Sequence, residues 1–169
     1  MDGITLRLEK PEDEAFLIDL YASTRSEELR HVPWPQSQKQ RFLSDQFRLQ
    51  SIHYRAHYPG AEFLIVQERE RPIGRLYLCK GDAGIRLMDL ALLAGCRGRG
   101  IGRELLQKVI DAAAAANKPV VAHVQRNNPA LRLYERQGFR VMQDDGVYLR
   151  LECSAPLAKA AGGEQSRPD

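Results

Sequence analysis

Apolar and polar residues alternate or recur at regular spacings that divide the first third of the chain into three elements. Ile4, Leu6 and Leu8 alternate with polar residues, which predicts a strand. The acidic segment that begins at Pro11 is a helix-start signal. The predicted helix has one apolar face, formed by Phe16, Leu17, Leu20 and Tyr21. A proline-interrupted loop with the only tryptophan follows, and a longer helix is predicted from about Gln36 to Tyr58.

The middle of the chain changes from helical to strand periodicity and back. Three strands are predicted, over Phe63–Val66, Ile73–Cys79 and Ile85–Leu93, with Arg71-Pro72 and the segment 81–84 as the turns between them. Short turns favour an antiparallel meander. After the third strand, apolar residues at helical spacing from Ile101 to Ala113 predict an amphipathic helix, and Asn117 is a plausible end cap for it.

The last third of the chain predicts a strand, a short helix and two further strands. The strand covers Pro119–Gln125, the helix opens at Asn128-Pro129 and ends before Gly138, and the final strands lie near 139–142 and 147–151. The predicted order is β-α-α-β-β-β-α-β-α-β-β. This order defines an α/β (α+β) fold with a mixed sheet of about seven strands and about four helices.

Composition and charge limit the classes of protein that the chain can belong to. With 169 residues, 43% of them hydrophobic and 28% charged, the chain can bury one core. We predict a single domain over residues 1–153 and a flexible tail over 154–169, where small and polar residues dominate. The formal charge of +3 and the three dispersed cysteines favour neither a nucleic-acid partner, nor a zinc site, nor a disulfide framework. Without an export or membrane segment, we expect a cytoplasmic protein.

The segment from Leu90 to Arg103 carries the clearest chemical signal. A predicted strand runs into a loop with Gly98, Gly100 and Gly102 and then into a helix. The first N–H groups of a helix have no intrahelical partner and lie at the positive end of its dipole, so they bind anions. Small residues allow close approach of the backbone, and Arg97, Arg99 and Arg103 add positive charge. The segment therefore predicts a diphosphate site rather than an ordinary turn.

Three kinds of phosphate loop are compatible with a glycine-rich strand-to-helix turn. A nucleoside-triphosphatase loop requires lysine and a hydroxyl residue after its last glycine, where this chain has Arg103-Glu104. A dinucleotide fingerprint requires glycine at 103 and an acid about twenty residues later, where Ala122 and His123 lie, so this reading is weak. The third pattern, arginine or glutamine, two residues, glycine, one residue, then glycine or alanine, is satisfied.

On this loop the chain resembles the GCN5-related N-acetyltransferase (GNAT) superfamily. A second motif, Asn128–Phe139, looks like the family's stretch of asparagine, alanine, tyrosine and closing glycine-phenylalanine. The likeness covers about Ile4 to Leu151. It implies acetyl-CoA as co-substrate, no metal, and transfer of the acetyl group to an amine. The implied cofactor-binding residues are Leu90, Ala91, Leu92, Arg97, Gly98, Arg99, Gly100, Ile101, Gly102, Arg103, Asn127, Asn128 and Tyr134, with β-strand four parting from strand five to admit the pantetheine arm.

Catalysis requires one group that takes a proton from the amine and one that gives a proton to the leaving thiol. The resemblance places Tyr134 near the sulfur as a general acid, although a buried core tyrosine is an alternative. Asp89 is the first candidate base; strict alternation places it on the face of Leu87 and Ala91, and the alternative is an ion pair with Arg75. His123 is the second candidate, unless it is only a hydrogen-bonded residue of the sheet. Removal of the proton by bulk water through a polar channel, with no dedicated base, is the third alternative.

The resemblance also implies an acceptor site built from the first two helices and the loop between them, together with loops near the last strands. Its candidate residues are Glu28, His31, Trp34, Tyr54 and Tyr58. In the functional interpretation, the acidic side chains attract a cationic amine and Trp34 stacks on a ring or covers an aliphatic chain of the acceptor. In the structural alternative, the acids are solvated helix surface and Trp34 packs the loop against the core. The partner is thus a small-molecule or peptide amine, not nucleic acid or membrane, and the sequence is compatible with a homodimer. A non-catalytic acyl-CoA-binding or sensing domain is the alternative function.

Overall fold

A computed structural model describes residues 3–154, so the tail predicted over 154–169 lies outside the described residues apart from Ser154. Within residues 3–154 there are four α-helices: α1 (Glu14–Arg25), α2 (Gln36–His57), α3 (Ile101–Ala115) and α4 (Leu131–Arg136). The strands are β1 (Ile4–Leu8), β2 (Glu62–Glu68), β3 (Arg71–Gly81), β4 (Gly84–Leu92), β5 (Val120–Gln125), β6 (Arg140–Asp144) and β7 (Tyr148–Cys153). The predicted order and fold class are confirmed.

All seven strands form one sheet in the order β1-β2-β3-β4-β5-β7-β6. Neighbouring strands are antiparallel except β4 and β5, which pair in parallel. The crossover through α3 returns the chain to the edge of the sheet at which β4 begins, so β5 runs in the same direction. This single parallel junction lies at the centre of the sheet. Ligands of open α/β sheets commonly bind beside such a change of strand direction.

The two faces of the sheet are covered by different helices. A large apolar cluster joins one face to α3 and α4, with Leu105, Leu106 and Leu151 at 1% exposure or less. A smaller cluster joins α1 and α2 to the other face through Leu17, Phe47 and neighbours of these residues. Each helix thus buries the apolar stripe that its sequence periodicity predicts.

The turn between β2 and β3 lies at a different position from the one that the sequence predicts. The turn between β2 and β3 consists of Arg69 and Glu70, both with positive φ, while Arg71 and Pro72 already belong to β3. Pro72 fits there because the β2–β3 register shifts at this point, which leaves a bulge that does not need a proline N–H donor. The prediction of Arg71-Pro72 as the turn was therefore wrong by two residues.

A bulge in β4 reverses the predicted facing of Asp89. Tyr77 pairs with Asp89 and Leu78 pairs with Leu87, so Met88 is an extra residue in β4. Beyond the bulge the side-chain alternation is inverted, and Asp89 points to the α1–α2 face instead of the face of Leu87. The prediction from strict alternation was wrong because one inserted residue moves every later side chain of the strand to the opposite face of the sheet.

Strands β4 and β5 part halfway along β4. Only Ile85, Arg86 and Leu87 pair with β5, opposite Val120 to Ala122. The remaining part of β4, from Asp89 to Leu92, pairs with β3 but has no paired β5 residue among the described residues. A sheet edge is thereby opened in the interior of the sheet, immediately before the glycine-rich loop.

Candidate active site

The glycine-rich loop connects the parted end of β4 to the first turn of α3. Gly98 and Gly100 have φ of 71° and 82°, in the left-handed region that side-chain-bearing residues avoid, and Gly100 is the N-terminal cap of α3. A Cβ added at Gly98 would meet no atom within 4 Å. The backbone at this position is therefore open to a ligand. The N–H groups of the first turn of α3 begin at Ile101, directly after it.

Gly102 and Ile101 serve packing as well as the loop. A Cβ at Gly102 would lie 3.4 Å from Leu133 Cδ2, which is about van der Waals contact, so α3 and α4 pack closely at this point. The Ile101 side chain is 1% exposed and belongs to the large core. Of these two predicted cofactor residues, only the backbone groups are left to contact a ligand.

The three arginines of the loop differ in what they contact. Arg97 donates from Nε to the Leu92 carbonyl oxygen at 2.9 Å, which fixes the loop on the end of β4. Arg99 forms two hydrogen bonds with the Glu68 carboxylate, at 2.6 and 3.2 Å, and these hold the pKa of Glu68 below its ordinary range. The Arg103 side chain is exposed, and its backbone carbonyl accepts a hydrogen bond from Gln137.

On the parted half of β4, Asp89 forms an ion pair with Arg75 of β3. Both Nε and Nη2 of Arg75 bond to Asp89 Oδ2. The Arg75 residue is 3% exposed, whereas 27% of the Asp89 side chain is exposed. No described residue donates to the other carboxylate oxygen, Oδ1. The ion pair that the sequence offered as an alternative thus exists, and it fixes one oxygen of the carboxylate while the other stays free.

Aromatic rings enclose the Arg75 guanidinium. Its central carbon lies 4.7 Å from the Tyr77 ring centre, 5.8 Å from that of Phe47 and 6.0 Å from that of Tyr21. Nη2 also donates to Gln50 Oε1 at 3.0 Å, while Nη1 is buried without a hydrogen-bond partner among the described residues. Ring faces are favourable surroundings for a guanidinium. The cage fixes the position of Arg75.

Two buried tyrosines, Tyr54 of α2 and Tyr134 of α4, are influenced by the charge of Asp89. Burial, and secondarily the charge of Asp89, raises the pKa of Tyr54 to about 12. The same two causes, in the same order, raise the pKa of Tyr134, which is 5% exposed and packs edge-on against Phe139. Both phenols therefore stay protonated at neutral pH.

Asn128 and Asn127 precede α4 on its approach from β5. The Asn128 side-chain oxygen accepts a hydrogen bond from the Ala130 N–H at 2.8 Å, which forms the turn into α4 and explains the asparagine locally. Asn127 is exposed. Their predicted contact with the pantetheine arm stays a prediction.

His123 lies on the α1–α2 side of β5, exposed and 3.1 Å from Arg86 through Nδ1. Burial, followed by the charges of Arg86 and Arg150, lowers the pKa of His123, so the ring is neutral at pH 7. An open cavity of about 550 Å³ lies beside it. The cavity is bounded by His123, Gln143, Asp144, Asp145, Tyr148 and Arg150.

The predicted acceptor residues separate into two groups. Tyr54 and Tyr58 are in contact on α2, with ring centres 6.1 Å apart, and Arg86 lies over the Tyr58 ring. This contact links them to His123 and to the cavity. Glu28 and His31 are exposed, and Trp34 packs edge-on against Phe42 at 5.5 Å. No hydrogen bond, ion pair or ring contact between described residues connects this second group to Asp89.

Several residues of the site were outside the predicted set. The sequence pattern indicated Arg75 only as a partner for Asp89, and it did not indicate Tyr77, Gln50 or Arg86. A charged residue inside the apolar run 73–78 was the available signal for Arg75, because buried charges in strands require a partner. Glu68 gave no signal, since only the β2–β3 hairpin brings it to Arg99.

The fold and the site together define an acyltransferase, and comparisons with known proteins identify the family. The model of the Acetyltransferase (GNAT) family matches residues 14–139. The chain therefore belongs to the GNAT family of acetyltransferases. This confirms the resemblance seen in the loop and in the Asn128–Phe139 motif. A search of curated proteins by sequence finds no match.

Solved structures with the same fold are similar over nearly their whole length. The PaiA N-acetyltransferase of Thermoplasma acidophilum, solved in complex with coenzyme A, is 19% identical with a TM-score of 0.69, covering 90% of this chain and 99% of that one. An acetyltransferase of Thermus thermophilus is 21% identical with a TM-score of 0.65, covering 90% and 97%. A structure from Corynebacterium glutamicum described as histone acetyltransferase HPA2 and related acetyltransferase is 19% identical with a TM-score of 0.63, covering 94% and 99%. The described residues contain no helix that is long and apolar enough to cross a membrane.

Proposed function

We propose that this protein transfers the acetyl group of acetyl-CoA directly to the amine of a small molecule or peptide. The observation that carries the proposal is the free oxygen of Asp89 on the parted half of β4, one loop away from the open backbone at Gly98. The donor would lie along residues 90–92 with its diphosphate at residues 97–103. Membership of the GNAT family and the coenzyme A bound in the PaiA structure support this donor.

Asp89 and Tyr134 have the properties that the two proton transfers require. When the amine nitrogen attacks the thioester carbonyl carbon, the nitrogen loses a proton, and the sulfur gains one as the carbon–sulfur bond breaks. Asp89 Oδ1 is free to accept the first proton while Arg75 holds Oδ2. Tyr134 stays protonated because burial raises its pKa, so it can supply the second.

The acceptor would reach Asp89 from the α1–α2 side. Tyr54 and Tyr58 form an aromatic wall on α2, and the cavity beside His123 continues this surface toward β7. Because Arg86 donates to Nδ1 of His123, the neutral imidazole carries its proton on Nε2, which can donate a hydrogen bond to a polar group of the acceptor. We therefore propose that the acceptor binds between α2 and the side of β5 and β7 that faces α1 and α2.

A pair of variants matched in size but not in charge tests the donor site. Gly98→Asp and Gly98→Asn place side chains of the same size at the same positive φ, and only the first adds a negative charge. Calorimetry should show acetyl-CoA binding that Gly98→Asp weakens by about tenfold or more relative to Gly98→Asn, because the added carboxylate repels a diphosphate. Equal affinities of the two variants would contradict a diphosphate at this loop.

Thiol release against a panel of amines tests the reaction. The wild-type protein should release free thiol from acetyl-CoA in an amine-dependent manner. Binding of acetyl-CoA without thiol release for any amine would instead favour an acyl-CoA-sensing domain. The panel should span polyamines, amino acids, aminoglycosides and peptides, since the aromatic wall and the neutral histidine are compatible with each of them.

A further inference from the structure

The β2–β3 turn and the glycine-rich loop border a second open cavity. Its volume is about 350 Å³, and the residues that bound it are Glu68, Arg69, Arg71 and Arg99. Three guanidinium groups and one carboxylate give this lining a net charge of +2. A concave surface with this excess of positive charge attracts anions.

The positive charge that stays available comes from Arg69 and Arg71. Glu68 is engaged by Arg99 through two hydrogen bonds, so these two charges offset each other. Neither Arg69 nor Arg71 has a side-chain hydrogen bond or ion pair with any residue in the described part of the chain. Two unpaired guanidinium groups beside one cavity can each donate paired hydrogen bonds to a phosphate.

The backbone at Arg69 indicates that its side chain is not there for the turn. Arg69 and Glu70 form a two-residue hairpin loop with φ of 49° and 66°. Such loops strongly prefer Asn-Gly or Asp-Gly, because positive φ at both positions is costly for other residues. An arginine at the first position weakens the hairpin and places a cation at the rim of the cavity.

We infer that Arg69 and Arg71, together with the Arg99–Glu68 pair, form a phosphomonoester site for the 3′-phosphate on the ribose of coenzyme A. Arg99 belongs both to this cavity and to the loop proposed to hold the diphosphate. The adenosine that follows the diphosphate in coenzyme A carries one phosphomonoester, which matches the anion that a cavity bordering the diphosphate loop would take. The inference rests on the proposed donor, and such a site would let the protein distinguish coenzyme A from its dephosphorylated form.

Affinity for two pairs of ligands tests the site. The wild-type protein should bind coenzyme A about tenfold more tightly than 3′-dephospho-coenzyme A, and adenosine 3′,5′-bisphosphate more tightly than ADP. Arg69→Ala/Arg71→Ala should abolish both preferences by weakening only the ligands with a 3′-phosphate. Arg41→Ala, a change at an exposed arginine of α2, should leave both preferences intact. Inorganic phosphate should compete only weakly; if it competes as well as the bisphosphate, the cavity is a general anion site and the inference is wrong.

The turn offers a readout that a purely structural role would not produce. Arg69→Asn/Glu70→Gly installs the preferred turn and should raise the melting temperature by roughly 2–4 °C, while it lowers affinity for coenzyme A. Glu70→Gly alone should raise stability without loss of affinity. Equal binding of coenzyme A and its dephosphorylated form by the wild type would overturn this inference alone. Binding of neither would overturn the proposed function itself.

Discussion

At the scale of single residues, the arrangement around Asp89 explains why one carboxylate is both held and available. A buried arginine fixes Oδ2, the aromatic rings around Arg75 keep that arginine in place, and Oδ1 faces a partly exposed region of β4. A fully buried pair would be structural, and a fully exposed carboxylate would be mobile. This intermediate position suits a base that must meet an incoming amine in a fixed geometry.

For Asp89→Asn we expect turnover to fall by about 10²–10⁴-fold, with unchanged acetyl-CoA affinity, because the amide cannot accept the amine proton. Raising the pH should restore part of the rate, since more of the acceptor amine is then already neutral. Asp89→Glu should retain partial activity. Steady-state kinetics across pH, with thermal melting to verify folding, measures these effects. A variant with wild-type turnover would show that Asp89 only pairs with Arg75.

For Tyr134→Phe we expect turnover to fall by roughly tenfold or more while the binding of acetyl-CoA changes little, because the ring packing on Phe139 is kept and only the hydroxyl is lost. Burial, followed by the charge of Asp89, raises the pKa of Tyr134. The wild-type rate should therefore not decline through loss of this proton below about pH 10, the ordinary tyrosine value. An unchanged rate in the variant would make Tyr134 a core residue without a chemical role.

At the scale of elements, the site depends on two irregularities in β4 and on the junctions that hold the helices to the sheet. The bulge at Met88 turns Asp89 toward α2, and the parting from β5 exposes the strand edge beside it. At the other end of the sheet, the start of α1 is attached to β1 by Asp13. This carboxylate is 5% exposed and accepts two hydrogen bonds of 2.7 Å from Arg7 and one of 2.8 Å from the Lys10 N–H.

Asp13→Asn should lower the free energy of unfolding by about 1–3 kcal/mol at pH 7, because the charge-assisted hydrogen bonds with Arg7 are lost. The hydrogen bond with Arg7 is also the main cause of the lowered pKa of Asp13, so this contribution is full above the ordinary value of 3.8. It disappears as the pH falls through the lower folded-state pKa. Denaturant unfolding from pH 7 to pH 2 should show the two proteins converging. Asp19→Asn, an exposed site on α1, is the matched control and should change little.

At the scale of the whole molecule, the described residues form a seven-stranded sheet with different helix pairs on its two faces, and its central strands part after the first half of β4. The large core unites α3 and α4 with β5 and β7, and the smaller one attaches α1 and α2 to the other face. The glycine-rich loop adjoins the large core, and the aromatic wall belongs to α2. Their meeting point is the parted strand, where donor and acceptor would approach Asp89 from different sides.

Coenzyme A should therefore stabilise the molecule chiefly at its centre. At about 100 times its dissociation constant it should add roughly 2.7 kcal/mol to stability, which corresponds to about 5–10 °C in melting temperature. Hydrogen exchange should slow most in residues 88–92 and 97–103, because a ligand lying along β4 would cover amides that have no β5 partner. Protection confined to α1 and α2 would contradict the proposed donor position.

The sequence by itself determined the order of elements, the family and the position of the glycine-rich loop, because hydrophobic periodicity and glycine spacing are local properties of the chain. Tertiary structure alone decided which face Asp89 occupies. A bulge is a property of two paired strands, so it does not show in the hydrophobic periodicity of a single strand. It also decided that Gly102 packs under Leu133, and that Glu68 and Arg71 meet Arg99, residues about thirty positions away. Such contacts depend on strand pairing and helix packing, so no single segment encodes them.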